Sequence, residues 1–475
     1  MTPKKALFIN GKSVESREWE DIVNPYDDSI VGKVALAGKE QAEQAIRAAT
    51  DAFHRNRMKS RDERREILLN IVRGIQSERE RLAEWVMRET GKPITSALGE
   101  VDRAATTFTL AAEEAIRFGG ETIPMDIAKA GRGYIARTER FPLGPILAFT
   151  PFNFPINLTA HKIAPAIAVG SSVALKPPPQ GPISVLELAR IVHEAGAEPG
   201  TFNVLHCPIP VAEYLVRDDR FRVLSFTGSA RVGWYLKSIC GKKRIALELG
   251  GNAAAVVHSD SDRDWVAERL AVGAFVQAGQ VCISVQRILV HRPIYDEFKK
   301  RFLKAVRSLS VGDPAKPETV VGPCIRRMEA QRVMEWIREA MQGGARRLCG
   351  GRRRGTLVRP TVLEGVPQNA RVKCEEVFGP VVTLDPYDDF ERACEEVNRS
   401  AYGLQAGAFT HDIRRIEYAF RTLEVGGVII NDFPTFRLDH FPYGGVKDSG
   451  LGREGVRYSM EEMTEPRILV TNLNR

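Results

Sequence analysis

Cys282 lies in Gly279-Gln280-Val281-Cys282-Ile283-Ser284, a glycine-opened loop between an expected helix and an expected strand at 286–290. A loop thiol can reach a substrate, whereas one inside a helix stripe cannot. A nucleophile also needs a base and a donor for the charge it creates. Glu248, in Leu247-Glu248-Leu249-Gly250-Gly251, interrupts an apolar strand end. A carboxylate is costly there unless it has a partner or a task. Asn153, in Pro151-Phe152-Asn153-Phe154-Pro155, follows the first strand of an expected parallel sheet, where ligands bind in doubly wound folds. Its amide can donate to a developing oxyanion. Each residue alone is compatible with a structural role, and an isolated cysteine is most often a small core residue.

A strand that ends at Phe226-Thr227-Gly228-Ser229 and restarts as a helix through Gly233 is a candidate phosphate cradle. Amides at a helix start face anions, and glycine permits close approach. An ordinary turn with a serine cap reads the same way. The pattern Gly450-Leu451-Gly452-Arg453-Glu454-Gly455 matches a dinucleotide fingerprint in letters only, since it opens no βαβ unit. None of the eight histidines sits at metal-ligand spacing, so no metal is expected. His161 reads as packed or hydrogen-bonded inside a helix.

Elements must position these groups. The first hundred or so residues read as helical. Leu68, Val72, Ile75, Leu82 and Val86 fall on one face of a helix stopped by Gly91-Lys92-Pro93. Val101, Ala105, Phe108, Ala112 and Ala115 mark a second helix ending at Gly119-Gly120. Residues 134–140 alternate like an exposed strand. Short apolar runs at 145–150, 172–176, 202–206, 223–228 and 245–251 then alternate with helical stretches, the mark of a parallel sheet covered by helices. A second α/β series runs from near Asp262 to about Asn431.

Composition excludes several classes. The chain has 475 residues, 43% hydrophobic and 27% charged, an ordinary globular balance. At roughly 150 residues per domain it holds about three domain-sized units. The net charge of +8 directs attention to Arg352-Arg353-Arg354, with Arg346 and Arg347 before it. No aromatic residue interleaves them, so a solvated loop is expected rather than a nucleic-acid surface. Seven cysteines without a CxxC pair suit a reducing, cytoplasmic setting. The uncharged run 141–160 carries four prolines and two asparagines, so no membrane span is expected.

Taken together, PFNFP (151–155), LKPPPQ (175–180), FTGS (226–229), ELGG (248–251), GQVC (279–282) and EEVFGP (375–380) resemble the aldehyde dehydrogenase superfamily, in order and spacing. The likeness runs from Asn10-Gly11-Lys12 to the final strand. It implies that Cys282 attacks an aldehyde, with Asn153 and the Cys282 amide as oxyanion donors. It implies that Glu248 activates water against the resulting thioester. Glu454 matches an accessory proton-relay glutamate, with a surface ion pair as the plain alternative. Gly228, Ser229 and Gly233 match the pyrophosphate turn, with Leu249 beside it. Glu376 and Phe378 match contacts to the nicotinamide ribose, and Lys176 matches the adenosine-ribose lysine. Strongly NAD-preferring relatives often have glutamate where Pro179 stands, so NADP as well as NAD is expected to serve.

The resemblance further implies an α/β fold. A variant Rossmann cofactor domain would span 1–118 and 143–252, a catalytic domain 253–445, and a bridging element 119–142 and 446–475. The strand near 134–140 matches an arm that builds a dimer or tetramer. Phe154, His161, Arg103, Phe436 and Arg437 are the expected substrate contacts, although Arg103 reads better as a solvated side chain. The segments 434–440 and 444–450 are similar to those of relatives that oxidise small polar aldehydes such as lactaldehyde. Val281 stands where relatives that take phosphorylated aldehydes often carry arginine, which counts against a strongly anionic substrate. Two rivals share much of this pattern: a dehydrogenase that transfers the acyl group to coenzyme A, and a non-catalytic relative of the fold.

Overall fold

The computed structural model describes residues 2–473. Five parallel strands form the middle of an eight-stranded sheet, in the order Arg244–Glu248, Val223–Thr227, Ile146–Phe149, Val173–Lys176 and Phe202–Val204. These are the apolar runs legible in the sequence, and they are apolar because helices cover both faces. Their register brings Thr227 level with Glu248, and Phe149 level with Phe226 and Lys176. The carboxyl ends of these strands therefore open onto one rim.

Gly450–Leu451 adds antiparallel to one edge, and Leu7–Ile9 with Lys12–Val14 closes the other. Here the helical reading of the early residues is corrected. Residues 4–36 supply five short strands, and helix begins only at Lys39–Asn56. The helix read across 62–89 is two helices, Arg61–Ser77 and Arg79–Thr90, broken at Glu78, whose φ of −115° and ψ of 20° are not helical. Ser60 caps the first of them, its hydroxyl accepting from the Glu63 amide while the Glu63 carboxylate accepts from the Ser60 amide.

Leu249 to Asn252 carry the chain directly into a second sheet of seven strands. Its order is Arg346–Cys349, Thr361–Glu364, Val381–Tyr387, Val285–His291, Ala253–Val257, Gln405–Phe409 and Gly427–Ile430. All its neighbours run parallel except the first pair. Ala253 pairs with Val285, so Cys282 enters this sheet beside the exit of Glu248 from the other one. A third sheet of Thr464–Asn472, Tyr134–Pro142 and Thr122–Ile123 stands apart, with most of Thr464–Asn472 exposed.

The helix Pro155–Val169 is buried along its whole length. It nevertheless carries Asn157, His161 and Lys162, each at most 1% exposed. Polar groups placed so deep must find partners, and those partners form the wall of the site. Among the described residues no helix is long and apolar enough to cross a membrane. The run 141–160 divides between two strands and the start of this helix.

Candidate active site

A cavity of about 850 Å³ lies where the two large sheets meet. Cys282, Glu248 and Asn153 all line it, as do Phe154, Arg103, Arg437 and Glu454. Four buried polar atoms on its wall, Thr150 Oγ1, Asn153 Oδ1, Asn157 Nδ2 and Glu248 Oε2, have no partner among the described residues. Unsatisfied groups gathered on one cavity are a ligand's share of the hydrogen bonding.

The loop that presents Cys282 is wound tightly. Gln277, Ala278 and Gly279 take φ of 54°, 57° and 67° in succession. Two of these are not glycine, and such positions cost of order 1–3 kcal/mol each and cluster at functional sites. At Gly279 a side chain has no room, since a Cβ would meet the Gly379 carbonyl oxygen at 2.4 Å. The loop is tied on both sides. Gln277 Nε2 donates to the Asn153 carbonyl at 2.7 Å, and Gln280 bonds Pro323 and Ile325. The same amide thus couples the backbone of the thiol loop to that of Asn153.

Burial pushes the Cys282 thiol up to about 11, partly offset by a 3.1 Å hydrogen bond with the Tyr443 hydroxyl and by the Arg437 charge. Burial also raises the Glu248 carboxyl well above its ordinary range, and the neighbouring Glu454 charge adds to this. Glu454 behaves oppositely. Burial opposes its ionisation, but Lys162, His161 and Arg437 outweigh it and hold Glu454 at about 2. Two carboxyls in one site with divided proton affinities can do different work.

The surface-pair reading of Glu454 is therefore corrected. It is 3% exposed and bonds Lys162 Nζ at 3.1 Å and Arg437 Nη2 at 3.2 Å. Lys162 in turn donates to Ser225 and Thr227 at the sheet's carboxyl rim. Arg103, expected as a solvated side chain or a tunnel contact, lines the cavity and grips Asp439 with two bonds of 2.6 and 3.2 Å.

Two expected substrate contacts lie elsewhere. His161 is set behind the wall, its Nε2 bonding Asp439 at 2.8 Å, and burial lowers its proton affinity. Phe436 does not line the cavity, while Thr435 and Arg437 on either side of it do.

The expected cofactor contacts divide similarly. Pro179, Gly228, Ser229, Leu249, Glu376 and Phe378 line the cavity, which extends past the strand ends to Pro178 and Gln180. Gly233 lies one layer behind, packed under Leu249, and Lys176 sits outside the lining with its Nζ 3.4 Å from the Pro177 carbonyl. Helix Ala230–Ile239 begins at this wall, and Ser229 makes no side-chain cap, which leaves first-turn amides free for an anion. Burial raises the Glu376 carboxyl to about 7, and its Oε1 accepts from the Gly251 amide at 2.9 Å. Among the described residues no cluster of His, Cys, Asp and Glu suited to a metal occurs.

Tyr443, Lys162, Asn157 and the pair Lys92–Glu100 were not anticipated from the sequence. Lys92 and Glu100 are both fully buried and ion-paired. Glu100 Oε1 accepts from the amides of Ile156 and Asn157 at 2.8 and 3.2 Å, and Lys92 Nζ lies 3.8 Å from the centre of the Phe154 ring. The pair thus pins the start of the helix that follows Asn153. Removing one partner strands a buried charge, at a cost of about 3–5 kcal/mol. Lys92→Met is expected to lower the thermal unfolding midpoint markedly, and Lys92→Met/Glu100→Gln to recover part of the loss. A single variant as stable as the parent would contradict this.

Residues 12–469 match the model of the aldehyde dehydrogenase family. The 3-sulfolactaldehyde dehydrogenase of Priestia aryabhattai is 42% identical over 468 residues, 98% of each chain. The crystal structure of aldehyde dehydrogenase 21 from Physcomitrella patens, in complex with the reaction product succinate, superposes with a TM-score of 0.98. It is 42% identical and the match covers 100% of this chain and 99% of that one. That of the glyceraldehyde-3-phosphate dehydrogenase GapN from Methanocaldococcus jannaschii, complexed with NADP, gives a TM-score of 0.92. It is 37% identical, with 96% of this chain and 100% of that one covered.

Proposed function

The chain belongs to the aldehyde dehydrogenase family, and from that premise we propose that it oxidises a short aldehyde with an anionic tail to the free carboxylic acid, using NADP or NAD. The observation that carries this reading is the convergence of Cys282, Glu248 and Asn153 on one cavity that Arg103 and Arg437 also line.

In this reading the Cys282 thiolate attacks the aldehyde carbon and forms a tetrahedral adduct. Asn153 and the Cys282 amide donate to the oxygen that gains charge. The nicotinamide ring, when bound, supplies the acceptor for the hydride whose loss turns that adduct into a thioester. Glu248 then takes a proton from water as the water attacks the thioester, the acid leaves, and the Cys282 thiol is restored. A carboxyl with raised proton affinity is a better base than an ordinary one. Its presence favours hydrolysis over transfer to coenzyme A. Gly228, Ser229 and the amides of Ala230–Ile239 would hold the pyrophosphate, Glu376 and Phe378 the nicotinamide ribose, and Lys176 with the Pro178–Gln180 turn the adenosine end.

The substrate class rests on charge. Arg103 and Arg437 both line the cavity, ion-paired with Asp439 and Glu454 respectively, and burial favours the uncharged form of Glu248. Val281 removes one arginine from the thiol loop, but the two on other elements replace it. The relatives named for sulfolactaldehyde and solved with succinate point the same way. We also read the first sheet as a cofactor domain and the second as a catalytic domain. The third sheet, with Ile468, Leu469 and Val470 exposed, is read as an arm onto a second copy.

Initial rates without coenzyme A test the reading, with neutral and carboxylate- or sulfonate-bearing short aldehydes and both cofactors in parallel. A charge-assisted contact contributes about 1.5–3 kcal/mol, so anionic aldehydes should lead roughly ten- to a hundredfold in kcat/KM. Pro179→Glu should shift the parent's NADP use clearly toward NAD, because a carboxylate accepts from ribose hydroxyls and repels a 2′-phosphate. A coenzyme A requirement, equal rates for neutral aldehydes, or an unchanged cofactor ratio would each remove its part of the proposal.

A further inference from the structure

Away from the active site, two adjoining clefts of about 530 and 550 Å³ share Val311, Arg352 and Arg359 in their walls. They share no residue with the catalytic cavity. The second is rimmed by Arg307, Arg347, Arg352 and Arg359 and holds no acid. Arg353 and Arg354 stand on the first, which also takes in Lys316 and only two acids, Asp313 and Glu318.

Among the described residues, Arg307, Arg352, Arg354 and Arg359 make no side-chain hydrogen bond or ion pair, and all are exposed. This is not a shortage of acids nearby. Arg346 next door pairs with Glu364, and Arg327 pairs with Asp28. Like charges gathered without counterions repel one another, so the cluster works against local stability until an anion arrives. The fold nevertheless holds it in place. Arg353–Arg354 pairs with Leu357–Val358 as a hairpin, and Gly350, with φ of 74°, packs so closely that a Cβ would meet the Pro360 carbonyl at 2.1 Å. Beneath the rim, Val306, Leu309, Val311, Leu348 and Pro360 form an apolar floor.

We propose that this double cleft binds a small polyphosphorylated ligand with an apolar ring, the chemistry of a nucleoside di- or triphosphate. Guanidinium forks match phosphate oxygens two at a time, and several converge here. The apolar floor takes the ring. Each lobe has the size of a small-ligand pocket, not of a groove tracking a strand.

Calorimetric titration of the full chain with inorganic tripolyphosphate and with ADP tests this, against the variant Arg347→Ala/Arg352→Ala/Arg359→Ala. Both probes should bind the parent and weaken at least about tenfold in the variant, while aldehyde oxidation continues unchanged. ADP should bind more tightly than its phosphate count alone predicts, because of the floor. Equal affinity in parent and variant, or no heat at millimolar probe, would overturn the site. Tighter, variant-sensitive binding of a single-stranded oligonucleotide would overturn the ligand class and make this a nucleic-acid surface.

Discussion

Replacing Cys282 with alanine is expected to lower steady-state aldehyde oxidation by at least about a thousandfold, leaving cofactor affinity near that of the parent. No other thiol can substitute. Cys207, Cys240, Cys324 and Cys394 are buried in the cores, and neither Cys349 nor Cys374 lines the catalytic cavity. The proposed cofactor contacts come from other elements: the turn at Gly228–Ser229, the helix after it, and the segment holding Glu376 and Phe378. Serine tests the chemistry more finely. It keeps the shape, yet its hydroxyl ionises far less readily than a thiol already pushed up to about 11, so Cys282→Ser should be nearly as inactive. Turnover in the alanine variant above a tenth of the parent's would place the nucleophile elsewhere. Lost cofactor binding would show that the loop, not the sulfur, had been damaged.

Why Cys282 was legible in the sequence, and Tyr443 beside it was not, is a matter of what a local pattern records. Cys282, Glu248 and Asn153 each break a local rule: a thiol in a glycine loop, a carboxylate at an apolar strand end, an amide between prolines. Tyr443 is ordinary in its own segment and acquires meaning only by meeting a residue 161 positions earlier. Lys162 reads as one polar residue in a helix, and its partner Glu454 is 292 positions away. Glu454 stood open between a proton relay and a surface pair because the partners that bury it, Lys162 among them, lie far along the chain, which no periodicity announces.

The fold divides along the same line. The five central strands are buried on both faces and so read as continuous apolar runs. The early strands are two to seven residues long, and Leu7–Ile9 is paired through Phe8 with Val204, far along the chain. Helical spacing carried through Glu78 because Leu82 and Val86 stay on the buried side after the break. The hydrogen-bonded reading of His161 holds, but the substrate contacts expected of His161 and Phe436 are not met, for a subtler reason. Each has near neighbours in the chain that line the cavity without lining it itself, a distinction no local pattern records.

The glutamate makes the sharpest kinetic forecast. Glu248→Gln is expected to keep the first burst of reduced nicotinamide while losing steady-state turnover by about a hundred- to ten-thousandfold, the range of general-base assistance. Glutamine preserves volume and polarity but cannot accept a proton from water, so the acyl group should remain on sulfur. Mass spectra of quenched enzyme should then show Cys282 carrying the acyl mass, and the parent should not accumulate it. The pH dependence follows from the direction of the shift. Burial and the Glu454 charge raise the Glu248 carboxyl, so its ionisation falls in an interval above that of an ordinary carboxyl. Parent turnover should climb through that interval. In the Gln variant that limb should flatten, leaving only the later rise that belongs to the thiol, whose ionisation lies near 11 before substrate binds. An unmodified cysteine together with a missing burst would show Glu248 acting earlier, as the base that takes the Cys282 proton. The rise with pH would then vanish from the burst itself and not from the step that follows it.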